Sequence, residues 1–348
     1  MSPPGDQCGG AGGAPSAPSA FRLRLRLRAR TRTIRAVRVI TQLGATSADR
    51  DRIVTTYPDV ELVEFDANSD PPAGAADAFF GGYMGWDDIL RWLDATGVRW
   101  VQLSGTGIDN VPTAVFDGRT VTCARGASAV PISEWVMAAV LSAAKRFPDV
   151  FLDEPPKWWN FPNPPLGALQ DATIALVGLG GIGTAIAERA LPFGMRVKAM
   201  RRTYAPSPIP GVEMVRTLEA LVEDADHLVL CAPGTPRTQH MVDDTLLKQV
   251  KPGLHLVNIA RGSLVDQDAL RTALDDGRVA LATLDTVTPE PLPEGHWLYE
   301  HPQVRLSAHV SWYSPLLQRA AVDIFVENLG RFQRGEDLLH VVDVEEGY

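Results

Sequence analysis

The stretch from Thr173 to Thr203, TIALVGLGGIGTAIAERALPFGMRVKAMRRT, narrows the choice of fold more than any other part of the chain. Thr173 to Val177 is a short apolar run of strand-forming residues, suited to a parallel strand covered on both faces. It stops at Gly178-Leu179-Gly180-Gly181-Ile182-Gly183, a G-x-G-x-x-G. From Thr184 to Phe193 apolar residues recur at helical spacing, Gly194 stands where a helix ends, and Arg196 to Met200 reads as the next strand. Strand, glycine turn, helix and strand in about thirty residues is the setting a dinucleotide-binding turn requires. Gly178 permits the tight turn, and Gly180 lets the backbone approach a pyrophosphate. Gly183 allows close helix-on-strand packing, Gly181 and Ile182 belong to the same cofactor-binding turn, and the N-terminus of the helix that follows faces the anion.

The end of the second strand bears on which dinucleotide. An NAD-binding unit usually places Asp or Glu there to accept from the ribose 2′-hydroxyl. Here the place holds Arg201-Arg202-Thr203. A guanidinium pairs with a 2′-phosphate, whereas a carboxylate repels it. The expected cofactor is therefore NADP(H), with NAD(H) the alternative.

The 348-residue chain is long enough for two domains. No apolar run approaches the roughly 20 residues of a membrane span. Cys8, Cys123 and Cys231 show neither C-x-x-C spacing nor a disulfide framework, which fits a reducing cytoplasm and no metal site. Residues 1–33 read as a disordered extension: a Gly/Ala/Pro/Ser tract, then FRLRLRLRARTR, which lacks a signal peptide's apolar segment. The first 38 residues hold eight of the 33 basic and one of the 42 acidic residues, so the remainder is near −16. That charge argues against a nucleic-acid face.

Strand-like runs alternate with helical ones throughout, before and after the glycine turn, as in an α/β protein with parallel sheets. Strands are expected near 34–41, 60–65, 78–80, 98–103 and 121–124. A strong helix is expected over 131–145 and a Pro-rich loop over 151–167. Further strands are expected at 227–232, 255–259, 280–285 and 304–306. The long amphipathic helix over 316–332 lies beyond the glycine-turn unit and is expected to cross back to the first. This makes the first domain discontinuous: 34–126 with 315–348, against 127–314 for the dinucleotide-binding domain.

Three further stretches carry a family resemblance. Asn258-Ile259-Ala260-Arg261-Gly262-Ser263-Leu264-Val265-Asp266 resembles an N-x-A-R-G-x-L-V-D segment. Leu284 to Pro293 (LDTVTPEPLP) resembles L-D-V-x-x-x-E-P-L-P, and Ser307-Ala308-His309-Val310 resembles x-P-H-[IV]. With VGLGGIG these resemble the D-isomer-specific 2-hydroxyacid dehydrogenases, most of all the NADP-dependent glyoxylate/hydroxypyruvate reductase branch. The resemblance runs from about Ile34 to Arg331. It implies two Rossmann-like or flavodoxin-like parallel-sheet domains with a cleft between them. It also implies homodimers, a small 2-oxo or 2-hydroxy acid substrate, and no nucleic-acid or membrane partner.

Carried onto this sequence, the family's catalytic residues are Arg261, Glu290 and His309. The resemblance makes His309 the proton donor to the substrate carbonyl and Glu290 the partner that orients its ring. Arg261 is implied to bind the substrate carboxylate with the backbone of Gly105, Thr106 and Gly107. Proton donation by a side chain that titrates near neutral pH is chemically apt for such a reaction. Asp285 falls on a position that bonds the nicotinamide carboxamide. Cys231, Ala232 and Pro233 fall on a strand end that lines the adenosine side, and Ile259 and Ala260 also fall on the cofactor's wall. The sequence departs from the family after His309, where Ser311-Trp312-Tyr313 replaces a small, glycine-rich segment. Trp312 and Tyr313, like Trp158 and Trp159, are read as either pocket wall or packing. Gly81-Gly82-Tyr83 occupies the loop that meets the substrate's variable end. The alternatives are an NAD-linked enzyme of another substrate, D-lactate-like, and a non-catalytic NAD(P)-sensing protein on the same scaffold.

Overall fold

A computed structural model of the chain describes residues 36–43, 48–82, 85–155 and 165–344. The expectations placed on residues 1–33, Tyr83, Trp158 and Trp159 lie outside these.

The first sheet is built from β1 (Val37–Thr41), β2 (Val60–Glu64), β3 (Ala78–Gly81), β4 (Trp100–Leu103) and β5 (Thr120–Thr122). Its helices are α1 (Ala48–Thr56), between β1 and β2, and α2 (Trp86–Thr96), between β3 and β4. The strand order is β2-β1-β3-β4-β5, parallel throughout. β3 and β4 are buried along their whole length, which explains why they read as continuous apolar runs.

Helix α3 (Ala129–Lys145) leads to the second sheet. Along the chain follow β6 (Thr173–Val177), α4 (Gly181–Ala190), β7 (Arg196–Met200), β8 (Val212–Met214), α5 (Leu218–Val222) and β9 (His227–Leu230). Then come α6 (Asp244–Leu247), β10 (Leu254–Asn258), α7 (Gln267–Asp275), β11 (Val279–Leu284) and β12 (Val304–Leu306), with α8 (Pro315–Arg334) last. The seven parallel strands run β12-β11-β10-β9-β6-β7-β8. One face packs against α6 and α7 through Leu247, Leu270 and Leu274. The other packs against α3 and α4 through Val136, Val140 and Ile186.

Helix α8 packs on the first sheet, not the second. Phe325 stacks on Phe80 at 4.5 Å and on Trp100 at 5.5 Å, and Phe332 stacks on Trp100 at 5.1 Å. Burying a ring of that size contributes on the order of 2–3 kcal/mol. A fully buried polar chain sets the register. Asn328 Nδ2 donates to Gln102 Oε1 (2.9 Å) and to the Leu339 carbonyl (3.0 Å), and Leu339 N donates back to Asn328 Oδ1 (2.7 Å). Thr122 Oγ1 donates to the same Gln102 oxygen and accepts from the Trp100 indole, both at 2.8 Å.

Both sheets reverse strand order once, and that reversal positions the site. In the second sheet β6 lies between β9 and β7, so the loops after β6 and β9 diverge and leave a crevice at their carboxyl ends. In the first sheet the reversal lies between β1 and β3, next to Gly81-Gly82. Among the described residues no helix is long and apolar enough to cross a membrane.

Candidate active site

A cleft of about 1460 Å³ opens where the carboxyl ends of the two sheets face each other. On the second sheet's side its wall includes Gly178, Gly180, Gly181 and Ile182. Gly178 has φ +107°, and a Cβ there would lie 3.0 Å from the Cys231 carbonyl across the strand reversal. A Cβ on Gly183 would run into the Gly178 carbonyl, so α4 can pack this close to β6 only with glycine. The helix begins at Gly181, three residues earlier than the apolar spacing predicts, so the glycine motif itself forms the first turn. No side chain caps it, and its first turn lies on the wall of the cleft with N–H groups that lack a side-chain partner. That turn suits a pyrophosphate.

Arg201, Arg202 and Thr203 follow β7 on the same wall. Arg201 Nε is buried and has no hydrogen-bond partner among the described residues. A donor left in that state points to an anion as its missing acceptor. Cys231, Ala232, Pro233, Ile259 and Ala260 also line the cleft. Burial pushes the Cys231 thiol up to about 12, so it is a packing group and not a nucleophile.

Gly105, Thr106 and Gly107 come from the loop after β4, and Arg261 from the loop after β10. All four meet on the wall. Asn258 shapes the arginine's loop: its amide donates to the Arg261 carbonyl (2.9 Å) and accepts from Ala260 N (3.1 Å). The guanidinium lies directly over Gly107, where any Cβ would strike Nη2. Its Nε and Nη2 donate to Asp109 Oδ2 at 2.8 and 2.6 Å, and Nη1 donates to the Ala260 carbonyl at 2.7 Å. One N–H on each terminal nitrogen is left over, an end-on pair that matches a carboxylate.

His309 lines the cleft, and its Nδ1 lies 3.0 Å from Glu290 Oε2. Glu290 is off the wall and is steadied by Val287 N, which donates to Oε1 at 3.3 Å. With Nδ1 engaged, Nε2 is the nitrogen left to exchange a proton. Asp285 is 1% exposed, and both its oxygens accept from the segment that carries His309.

Of the two aromatics after His309, Trp312 is part of the wall, whereas Tyr313 is not and is 79% exposed. Sequence reasoning passed over Asp109, Trp86, Arg125 and Arg237, all on the wall. Asp109 stands two residues after Gly107, and that proximity was the one available signal. Trp86 opens α2 and packs over Gly82, where a Cβ would lie 2.8 Å from the indole. Among the described residues no group of three or more His, Cys, Asp or Glu is arranged to hold a metal ion.

Comparison with known proteins agrees with this architecture. Residues 137–311 match the family model described as the D-isomer specific 2-hydroxyacid dehydrogenase, NAD binding domain. Glyoxylate/hydroxypyruvate reductase A of Serratia proteamaculans is 32% identical over 222 residues, covering 62% of this chain and 68% of the relative. Glyoxylate reductase of Korarchaeum cryptofilum is 34% identical over 262 residues, covering 72% and 78%. Among solved structures, a D-isomer specific 2-hydroxyacid dehydrogenase from Xanthobacter autotrophicus Py2, in complex with NADPH and MES, superposes with a TM-score of 0.73. That match covers 90% of this chain and all of the other at 24% identity, so it bears on fold alone. Two parallel-sheet domains, a dinucleotide cradle at the strand reversal and these matches together place the chain among oxidoreductases acting on a CH–OH group: it belongs to the D-isomer specific 2-hydroxyacid dehydrogenase family.

Proposed function

We propose that the protein is an NADPH-dependent reductase of small 2-oxo acids of the glyoxylate or hydroxypyruvate type, working reversibly to give the D-2-hydroxy acid. The observation that carries this reading is the convergence of His309, backed by Glu290 at 3.0 Å, with Arg261 on a single cleft that also holds the glycine cradle. The bound dinucleotide supplies the hydride, and the chain's own residues do the rest. Gly178, Gly180 and Gly183 let the backbone close on the pyrophosphate, with the first N–H groups of α4 as donors. Arg201 and Arg202 receive the 2′-phosphate. The end-on pair of Arg261 and the backbone of Gly105 to Gly107 grip the substrate carboxylate. His309 delivers a proton from Nε2 to the carbonyl oxygen, and Glu290 holds Nδ1 and so fixes the ring. Arg261 also offsets the charge that builds on that oxygen.

In this reading segments 34–126 and 315–348 form the substrate-binding domain and 127–314 the cofactor-binding domain. Closure of one on the other excludes water. The enzyme is cytoplasmic and works as a homodimer through the cofactor-binding domain, so light scattering should return twice the mass of one chain.

The test is oxidation of NADPH and of NADH by the purified protein with glyoxylate, hydroxypyruvate and larger 2-oxo acids. NADPH should be used in preference, and His309→Asn should lower kcat by roughly 10²–10⁴-fold, the usual contribution of general acid–base catalysis. No turnover of any 2-oxo acid, or a fully active His309→Asn, would remove the proposal.

A further inference from the structure

Glu290 stands between two prolines, Pro289 and Pro291. Each proline fixes its own φ and restricts the residue before it, so the run from Thr288 to Pro291 is stiff. Where the Glu290 carboxylate meets His309 therefore depends on how the two ends of that run are anchored. The far end continues into Leu292, which is buried in the core of the second sheet and whose carbonyl accepts from Tyr299 Oη at 3.3 Å. The near end is gripped by one side chain. Gln267 Nε2 donates to the Thr288 carbonyl at 2.6 Å, and Gln267 Oε1 accepts from Thr288 N at 3.2 Å. The side-chain amide thus pairs with both backbone groups of a single residue, much as an opposing strand residue does. Gln267 opens α7, whose cap is the Asp266 side chain and whose Leu270 and Leu274 lie in the core. The clamp is therefore mounted on a fixed element. The clamped stretch also rests on Gly262, where any Cβ would run into the Val287 carbonyl, and Gly262 directly follows Arg261. Val287 N donates to Glu290 Oε1 at 3.3 Å, which ties the carboxylate to the same stretch.

We infer that Gln267 is a positioning residue: its two-bond clamp on Thr288 sets the Glu290 carboxylate at His309 Nδ1, and through it the direction of the imidazole. Gln267 is not on the wall of the cleft, so its influence passes through the stiff run from Thr288 to Glu290. The inference rests on the reading of Glu290 as the partner that orients His309.

Gln267→Met is the informative change, because it keeps the length of the side chain and removes both bonds. The kcat for a 2-oxo acid should fall roughly 10-fold, at the low end of the loss expected when a partner that orients an active side chain is removed. KM and NADPH affinity, the latter read by fluorescence titration without substrate, should each stay within about twofold, because the groups that grip substrate and cofactor are untouched. In a Glu290→Ala background the same change should lower kcat no further, since its effect passes through that carboxylate. Gln267→Asn keeps the amide but stops a methylene short of Thr288. It should repeat the pattern, and it serves if the methionine variant fails to fold. An unchanged kcat in Gln267→Met, or a full additional loss in the Glu290→Ala background, would overturn the inference. A fully active Glu290→Ala would instead strike the proposed function.

Discussion

Asp109 Oδ2 accepts both Nε–H and Nη2–H of Arg261, at 2.8 and 2.6 Å, across 152 residues of sequence and from the opposite wall of the cleft. The side-on edge of the guanidinium is thereby used within the chain, and the end-on edge is the one presented. The pair is partly exposed, at 32% and 47%, so its coupling is of the order of 1 kcal/mol and not more. Asp109→Ala should then raise KM for the 2-oxo acid roughly fivefold, the equivalent of about 1 kcal/mol, with a smaller effect on kcat. Steady-state kinetics decide the sign. A fall in KM would mean that Asp109 competes with the substrate carboxylate instead of aiming the arginine.

Glu290→Gln separates charge from orientation. The amide oxygen can still accept from His309 Nδ1, so the ring keeps its direction while the anion is gone. We expect kcat to drop roughly 10- to 100-fold, as for other orienting partners, with KM and the melting temperature nearly unchanged because the side chain is 41% exposed. If kcat were retained, the pair at 3.0 Å would be a surface contact without consequence for the reaction.

For the cofactor, the decisive residue is Arg201, with its Nε buried and without a hydrogen-bond partner among the described residues. Arg201→Asp should lower the ratio of kcat/KM for NADPH over NADH at least tenfold, since a charge-assisted bond is worth about 1.5–3 kcal/mol and the new carboxylate repels the phosphate. An unchanged ratio would sink the assignment of NADPH.

The parts of the fold that were legible are those whose burial is one-sided or complete. β6, β7 and β12 fall where the apolar runs place them. The elements that escaped lack such a pattern. α1, ADRDRIVTT, buries only Ile53, so it shows no apolar stripe. β8 is a three-residue edge strand with no fully buried position, and α5 is only five residues long. α4 starts before the point its apolar spacing marks because glycines, poor helix formers in general, here make its first turn. In the site, Arg261, Glu290 and His309 were readable because each sits in a motif. The Asp109 pairing and the bonds between Asp285 and the segment around His309 were not, since both depend on which loops the folded sheets bring together.

The last prediction concerns a part of the molecule away from the cleft. His227 and His255 are paired across the adjacent strands β9 and β10, with their Nδ1 atoms 3.0 Å apart, and His255 Nε2 lies 2.9 Å from Thr283 Oγ1. At 7% and 4% exposure the pair shares one hydrogen between the two Nδ1 atoms and is stable as neutral rings. Burial pushes His227 down to about 4 and His255 down to about 3 from the usual 6.5, the second reinforced by the neighbouring ring. Both folded values lie below the unfolded one, so the unfolded chain binds more protons between them. The stabilisation is therefore complete above about pH 6.5 and is lost progressively as pH falls toward 4 and then 3. Taken alone, the shifts would correspond to about 3 kcal/mol for His227 and about 5 kcal/mol for His255, relative to acid pH, and the two are not additive because they share a bond. Urea unfolding should show a steep fall in stability between pH 6.5 and 4. In a His227→Phe, His255→Leu double variant the fall over that range should be markedly shallower, whatever the variant's stability at pH 7. An equally steep fall in the double variant would assign the acid sensitivity to carboxylates elsewhere in the chain.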